Sequence, residues 1–119
     1  MNLEISKTGT WHRFSIQLQD RWTPSTFFPE LDIVMARIKE HLNGKKEPAV
    51  VFDLSQLEGI DSSMITVIVQ TVRIVSDRKI SIIAPNSDVY TWLSLLGIDR
   101  LSDLYESEKM WREKNNIIP

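Results

Sequence analysis

Few side chains in this 119-residue sequence have the types and spacing to do chemistry. Asp61, Ser62 and Ser63 set one carboxylate beside two hydroxyls. They follow a short apolar run and precede a long one, which reads as a strand-to-helix junction. A hydroxyl there is within reach of a kinase. A phosphate added to it would meet the free N–H groups and positive pole of the helix. It would also add about −1.5 to −2 charge next to Asp61. The plainer reading is a helix cap, since Asp and Ser are both favoured at that position. Asp53 is an acid inside an apolar run, best explained as a strand-end carboxylate that accepts loop N–H groups. His12 and His41 are the only imidazoles. They fall in a predicted strand and in the last turn of a predicted helix, where the negative helix end accounts for His41.

The rest of the inventory excludes more than it offers. With four glycines there is no glycine-rich phosphate loop, and no spacing matches a metal site or a nucleophile elbow. The chain has no cysteine, so disulfides and thiolate metal sites are out. No catalytic residue, cofactor or metal is expected, and the chain is not read as an enzyme. Fourteen Lys and Arg against sixteen Asp and Glu give a net charge of −2, unlike a nucleic-acid binder. The start lacks a signal-peptide pattern, and no run reaches the roughly 20 apolar residues of a membrane span. A cytoplasmic protein without membrane insertion is the expectation. Apolar residues at 42% and charged residues at 25% suit one globular domain over residues 1–119.

The elements that must hold Asp61, Ser62 and Ser63 follow from periodicity. Residues 3–6 and 11–18 alternate polar and apolar around a turn at 7–10, predicting a hairpin. Pro24 falls in a loop at 20–26, and Pro29 is expected to open a helix. Leu31, Val34, Met35, Ile38 and Leu42 form its apolar stripe, and Asn43 and Gly44 end it. Residues 49–54 suit a central strand covered on both faces.

Residues 62–77 are rich in β-branched types, yet length and period predict a helix. Ile65, Ile68, Val69, Val72 and Val75 share one face, opposite a narrow polar stripe of Thr66, Gln70, Arg73 and Asp77. Met64, Val67, Thr71 and Ile74 make a second stripe, which either packs under the neighbouring helix or forms a docking patch beside Ser62. A strand at 79–84 and a helix at 88–96 follow. That helix is capped by Ser87 or Asp88, carries Val89, Trp92, Leu93, Leu95 and Leu96, and is stopped by Gly97. A short apolar turn and an edge strand occupy 98–105. A polar helix at 106–115 has Met110 and Trp111 as anchors. The fold class is α/β, with a mixed, mostly parallel sheet, about four helices and an N-terminal antiparallel hairpin.

Two stretches resemble a known family. Val51-Phe52-Asp53-Leu54-Ser55 with Ile60-Asp61-Ser62-Ser63 is similar to the signature of STAS domains of the anti-sigma factor antagonist type. Leu93-Ser94-Leu95-Leu96-Gly97-Ile98-Asp99-Arg100-Leu101 with Tyr105-Glu106-Ser107-Glu108 resembles the family's helix, glycine, apolar turn and acidic last helix. The resemblance implies the STAS fold and a partner switch. The unmodified domain would bind an anti-sigma factor that is also a serine kinase, and so release a sigma factor for transcription. Phosphorylation would break that complex, and a serine phosphatase would restore it. By the motif the phosphorylated residue is Ser62, with Ser63 and Thr66 as alternatives. Asp61, Ser63, Met64, Thr66 and Val67 would line the partner surface, and a homodimer stays open. The sequence departs from the motif at Met64 and Thr66, where the family often has glycine. Glycine permits close backbone approach, whereas methionine fills the gap with an adaptable side chain. This departure favours an alternative, a non-switching subunit of a transport or signalling complex.

Overall fold

The computed structural model describes residues 2–17, 24–45, 49–57 and 62–117, and at 2, 24–30 and 62–67 it describes the backbone path alone. Strands β1 (Asn2–Thr8) and β2 (Trp11–Gln17) form the expected hairpin, Leu3 facing Ile16 and Thr8 facing Trp11. Its turn is tighter than residues 7–10. Gly9 sits at φ +61, where a side chain would be strained, so β1 runs on to Thr8.

Helix α1 (Pro24–Leu42) starts five residues earlier than expected. Pro24, read from sequence as a loop residue, is the proline at the first helical position; Pro29 lies inside the helix. Both prolines satisfy the rule for a helix start, and local pattern does not choose between them. Leu31, Val34, Ile38 and Leu42 are buried as the stripe requires, and Gly44 at φ +74 closes the end.

Strand β3 (Ala49–Asp53) is buried along its whole length between β2 and β4 (Lys79–Ile83), parallel to both. Helix α2 (Ser62–Ile74) joins β3 to β4. Helix α3 (Ser87–Leu95), a 3-10 turn (Ile98–Arg100) and β5 (Asp103–Tyr105) follow, and β5 lies parallel to β4. The sheet order is therefore β1-β2-β3-β4-β5, with only the β1–β2 pair antiparallel.

Strand alternation sorts the side chains onto two faces. Phe14, Ile16, Val50, Phe52, Ile80 and Ile82 face α1, α2 and α3 and form the main core. Trp11, Ala49, Val51 and Ile83 face the other way, where α4 (Glu108–Lys114) covers them with Trp111. In α4 the fully buried Trp111 is the anchor, edge-on to Trp11 at 5.3 Å, whereas Met110, expected to share that task, is exposed. Its cap is Ser107, whose hydroxyl accepts from the Met110 N–H at 3.1 Å.

The cap of α3 also differs from expectation. It is Asn86, not Ser87 or Asp88, whose side-chain oxygen accepts from the N–H groups of Asp88 (2.9 Å) and Val89 (3.2 Å). Pro85-Asn86-Ser87-Asp88 holds three good capping residues in a row, so sequence fixes the site only to within one or two positions.

Candidate functional site

The carboxyl ends of parallel strands are where α/β folds place working loops. Here β3 ends at Asp53, and the chain leaves the sheet along a firmly held path. The Leu54 N–H extends the ladder to the Ile83 carbonyl at 2.9 Å. The Leu57 N–H closes a turn on the Leu54 carbonyl at 3.0 Å, and both leucines are buried. The Ser55 N–H donates to Asp53 Oδ1 at 2.9 Å. The loop is thus anchored to the core as far as Leu57, and α2 opens at Ser62 on the same edge of the sheet.

Ser62 and Ser63 are the first two residues of α2, and Met64, Thr66 and Val67 fall within its first two turns. Asp61 lies outside the described residues, as do the side chains at 62–67. Helical register sets positions 63 and 66 opposite the buried Ile68, Val72 and Val75. The polar stripe continues at half-exposed Gln70 and exposed Arg73 and Asp77. In the second stripe Thr71 is fully buried, its hydroxyl donating to the Ile68 carbonyl at 2.9 Å, and Ile74 packs on the core. That half of the stripe is packing. The half formed by Met64 and Val67 falls where side chains are not described.

Asp53 is the most elaborated acid among the described residues. Besides the Ser55 N–H, it accepts from Arg13 Nε at 3.2 Å, Arg13 Nη2 and, at 3.4 Å, the Ser15 hydroxyl. Arg13 Nη2 also donates to Glu108 Oε1, and Glu108 in turn holds Arg112 at 2.8 Å. Burial pushes the Asp53 carboxyl up, but the Ser55 hydrogen bonds and the Arg13 guanidinium outweigh it and hold it below the usual carboxylate range. The expected loop N–H bond is present; the arginine was missed. Arg13 is 40 positions away, and the signal available was a basic residue on the strand that neighbours Asp53.

The histidines too come together unforeseen. His12 Nδ1 and His41 Nε2 are 3.1 Å apart, with the rings edge-on at 5.0 Å. His12 is fully buried. Burial and the nearby Lys45 and Lys7 push the His41 pKa down. Among the described residues no group of three or more His, Cys, Asp or Glu could hold a metal. No helix among them is long and apolar enough to cross a membrane.

The STAS domain family model matches residues 26–110, which spans β3, the loop, α2 and on into α4. The chain belongs to the STAS family. The fold of this STAS domain is similar to that of a Thermotoga maritima protein assigned as an anti-sigma factor antagonist. The crystal structure of that protein is 19% identical over 94% of this chain and 92% of its own, with a TM-score of 0.68. Its NMR structure gives 0.69 over 92% and 84% at the same identity. The anti-sigma factor antagonist SpoIIAA in its unphosphorylated form aligns over 99% of this chain and all of its own at 10% identity, with a TM-score of 0.66. No curated protein matches the sequence. The hairpin, the five-stranded mixed sheet and the four helices among the described residues are those of the STAS fold.

Proposed function

We propose that this STAS domain is an anti-sigma factor antagonist whose partner binding is switched by phosphorylation of Ser62. The observation that carries the reading is the place of the motif serine. It is the first residue of α2, beyond a loop that Leu54 and Leu57 pin to the core, on the edge formed by the strand ends. The first turn of α2 contains no acidic residue, so a phosphate at the helix N-terminus would meet N–H groups without a competing carboxylate from that turn. The fold would then survive modification while the surface gained charge.

In the proposed cycle the unmodified domain binds an anti-sigma factor that is also a serine kinase, and a sigma factor is freed. The kinase moves the γ-phosphoryl of ATP to the Ser62 hydroxyl oxygen, releasing ADP and the hydroxyl proton. A phosphatase returns the serine with water, releasing inorganic phosphate. Asp61, Ser63, Met64, Thr66 and Val67 form the contact surface, with Ser63 or Thr66 as the substitute acceptor. The role is binding in the cytoplasm, without catalysis by the domain itself.

The test is the affinity of Ser62→Ala and Ser62→Asp for the anti-sigma kinase of the same organism, measured by calorimetry. The expected result is tight binding by the alanine variant and at least a ten-fold loss for the aspartate variant, about 1.4 kcal/mol. Equal affinities would sink the switch. Met64 and Thr66, standing where the family often has glycine, favour a second reading as a non-switching subunit of a transport or signalling complex. That reading predicts co-purification with a large assembly and no phosphate on Ser62 in cells.

A further inference from the structure

Helix α3 carries two apolar stripes, and only one is used. Val89 and Leu93 are fully buried in the main core. Trp92, Leu95 and Leu96, spaced three and four apart, sit on the outer side and are 50%, 74% and 45% exposed. Leu101, at the end of the 3-10 turn that packs on α3, is 60% exposed. Single exposed leucines are ordinary, but a tryptophan and three leucines on one helix and its adjoining turn are a patch. Tryptophan is among the residue types enriched at binding hot spots, and the leucines beside it add apolar area that can exclude water around it.

The rim of the patch is acidic. Asp88 stands at the start of α3, Asp99 follows Gly97 at its far end, and Glu106 lines a cleft of about 400 Å³ with Ser87, Tyr90 and Thr91. Among the described residues none of these three acids forms an ion pair, although Arg100 follows Asp99 directly and Lys109 lies three positions after Glu106. An isologous contact with a second copy would press like charges together, and an anionic lipid surface would be repelled.

We infer that the outer face of α3 is a second docking surface, separate from the α2 terminus, that takes an amphipathic helix of another protein with a leucine-rich face bordered by Lys and Arg. Trp92 and Leu95 supply the apolar contact. Asp88, Asp99 and Glu106 steer and orient the basic border. The inference does not rest on modification of Ser62.

The test uses the full chain, labelled with ¹⁵N, and two synthetic 18-residue helices, one built of Leu and Lys and its twin of Leu and Glu. The Leu/Lys helix is expected to bind saturably, with amide shifts confined to residues 87–106. Trp92→Ser with Leu95→Ser should weaken it at least about ten-fold, the scale of a hot-spot loss. Asp88→Asn with Glu106→Gln should weaken it several-fold and flatten its salt dependence, and Ser62→Asp should leave it unchanged. All these side chains are on the surface, so an unaltered melting temperature certifies the fold of each variant. Three results would each overturn the inference: equal binding of the Leu/Glu twin, shifts that map outside residues 87–106, or a concentration-dependent dimer abolished by Leu95→Asp.

Discussion

The two faces of the sheet are built on different principles. Beneath α1, α2 and α3, twenty buried apolar residues among those described form one cluster that includes Phe14, Phe52, Ile38 and Ile68. On the α4 side the buried apolar cluster among the described residues has five members, Trp111 of the helix included, and that helix is seven residues long. The chief holds on α4 among the described residues are Trp111 and the ion-pair chain Asp53–Arg13–Glu108–Arg112. Among the described residues, two buried polar atoms on this face, Ser81 Oγ and Trp111 Nε1, have no hydrogen-bond partner. Apolar area fixes the first face, while the second is a clamp whose strength depends on a few groups. Regions with few buried contacts open first. Helix α4 is therefore expected to exchange its amide hydrogens well before β3, α1 or α2.

Substitutions on the two faces test this contrast. The largest effect is expected at Phe52→Ala, about 3–5 kcal/mol in denaturant unfolding, because the cavity lies where three helices meet the sheet. Trp111→Ala removes a larger side chain, yet its cost is capped by the free energy of opening α4, so about 2–3 kcal/mol is expected. An equal loss at both sites would show that α4 does not open independently, and the contrast would fail. Next comes the clamp. Arg13→Met leaves the Asp53 carboxylate buried with only Ser55 and Ser15 as donors, at a cost of about 2–3 kcal/mol. Arg13→Met combined with Asp53→Leu should recover most of that, because the loss comes from stranding one charge and the intact pair contributes little.

Two smaller effects follow. Asp53 has a folded pKa below its unfolded value of about 4. Its contribution is present above pH 4 and is lost as pH falls through the folded value. His41 is also depressed, so its contribution is complete above about pH 6.5 and falls as pH drops below that value. Melting curves should thus show one decline beginning near pH 6.5, reduced in His41→Gln, and a second below pH 4. Smallest of all, Ser81→Ala removes an unsatisfied hydroxyl and should stabilise the α4 face by up to about 1 kcal/mol.

The type and order of the elements are legible along the chain. The 3.6 period of residues 31–42 and 65–75 and the alternation of 11–17 are local signals, set by which side of an element must meet apolar neighbours. They made the hairpin, the helical reading of a β-branched stretch and the strand–helix alternation legible, and with them the place of Ser62. Competing local signals blurred the ends, as with Pro24 against Pro29 and Asn86 against Ser87.

Which apolar residues are buried follows from packing between elements. Trp92, Leu95 and Leu96 read like Leu93, but α3 buries one stripe, Val89 and Leu93, in the core and leaves the other outside. Met110 reads like Trp111, yet one of them turns inward. The Arg13–Asp53–Glu108 chain and the His12–His41 pair join residues 29 to 95 positions apart. Such pairings have no period along the chain. They arise when parallel strands bring β2 beside β3 and a last helix folds back across the sheet.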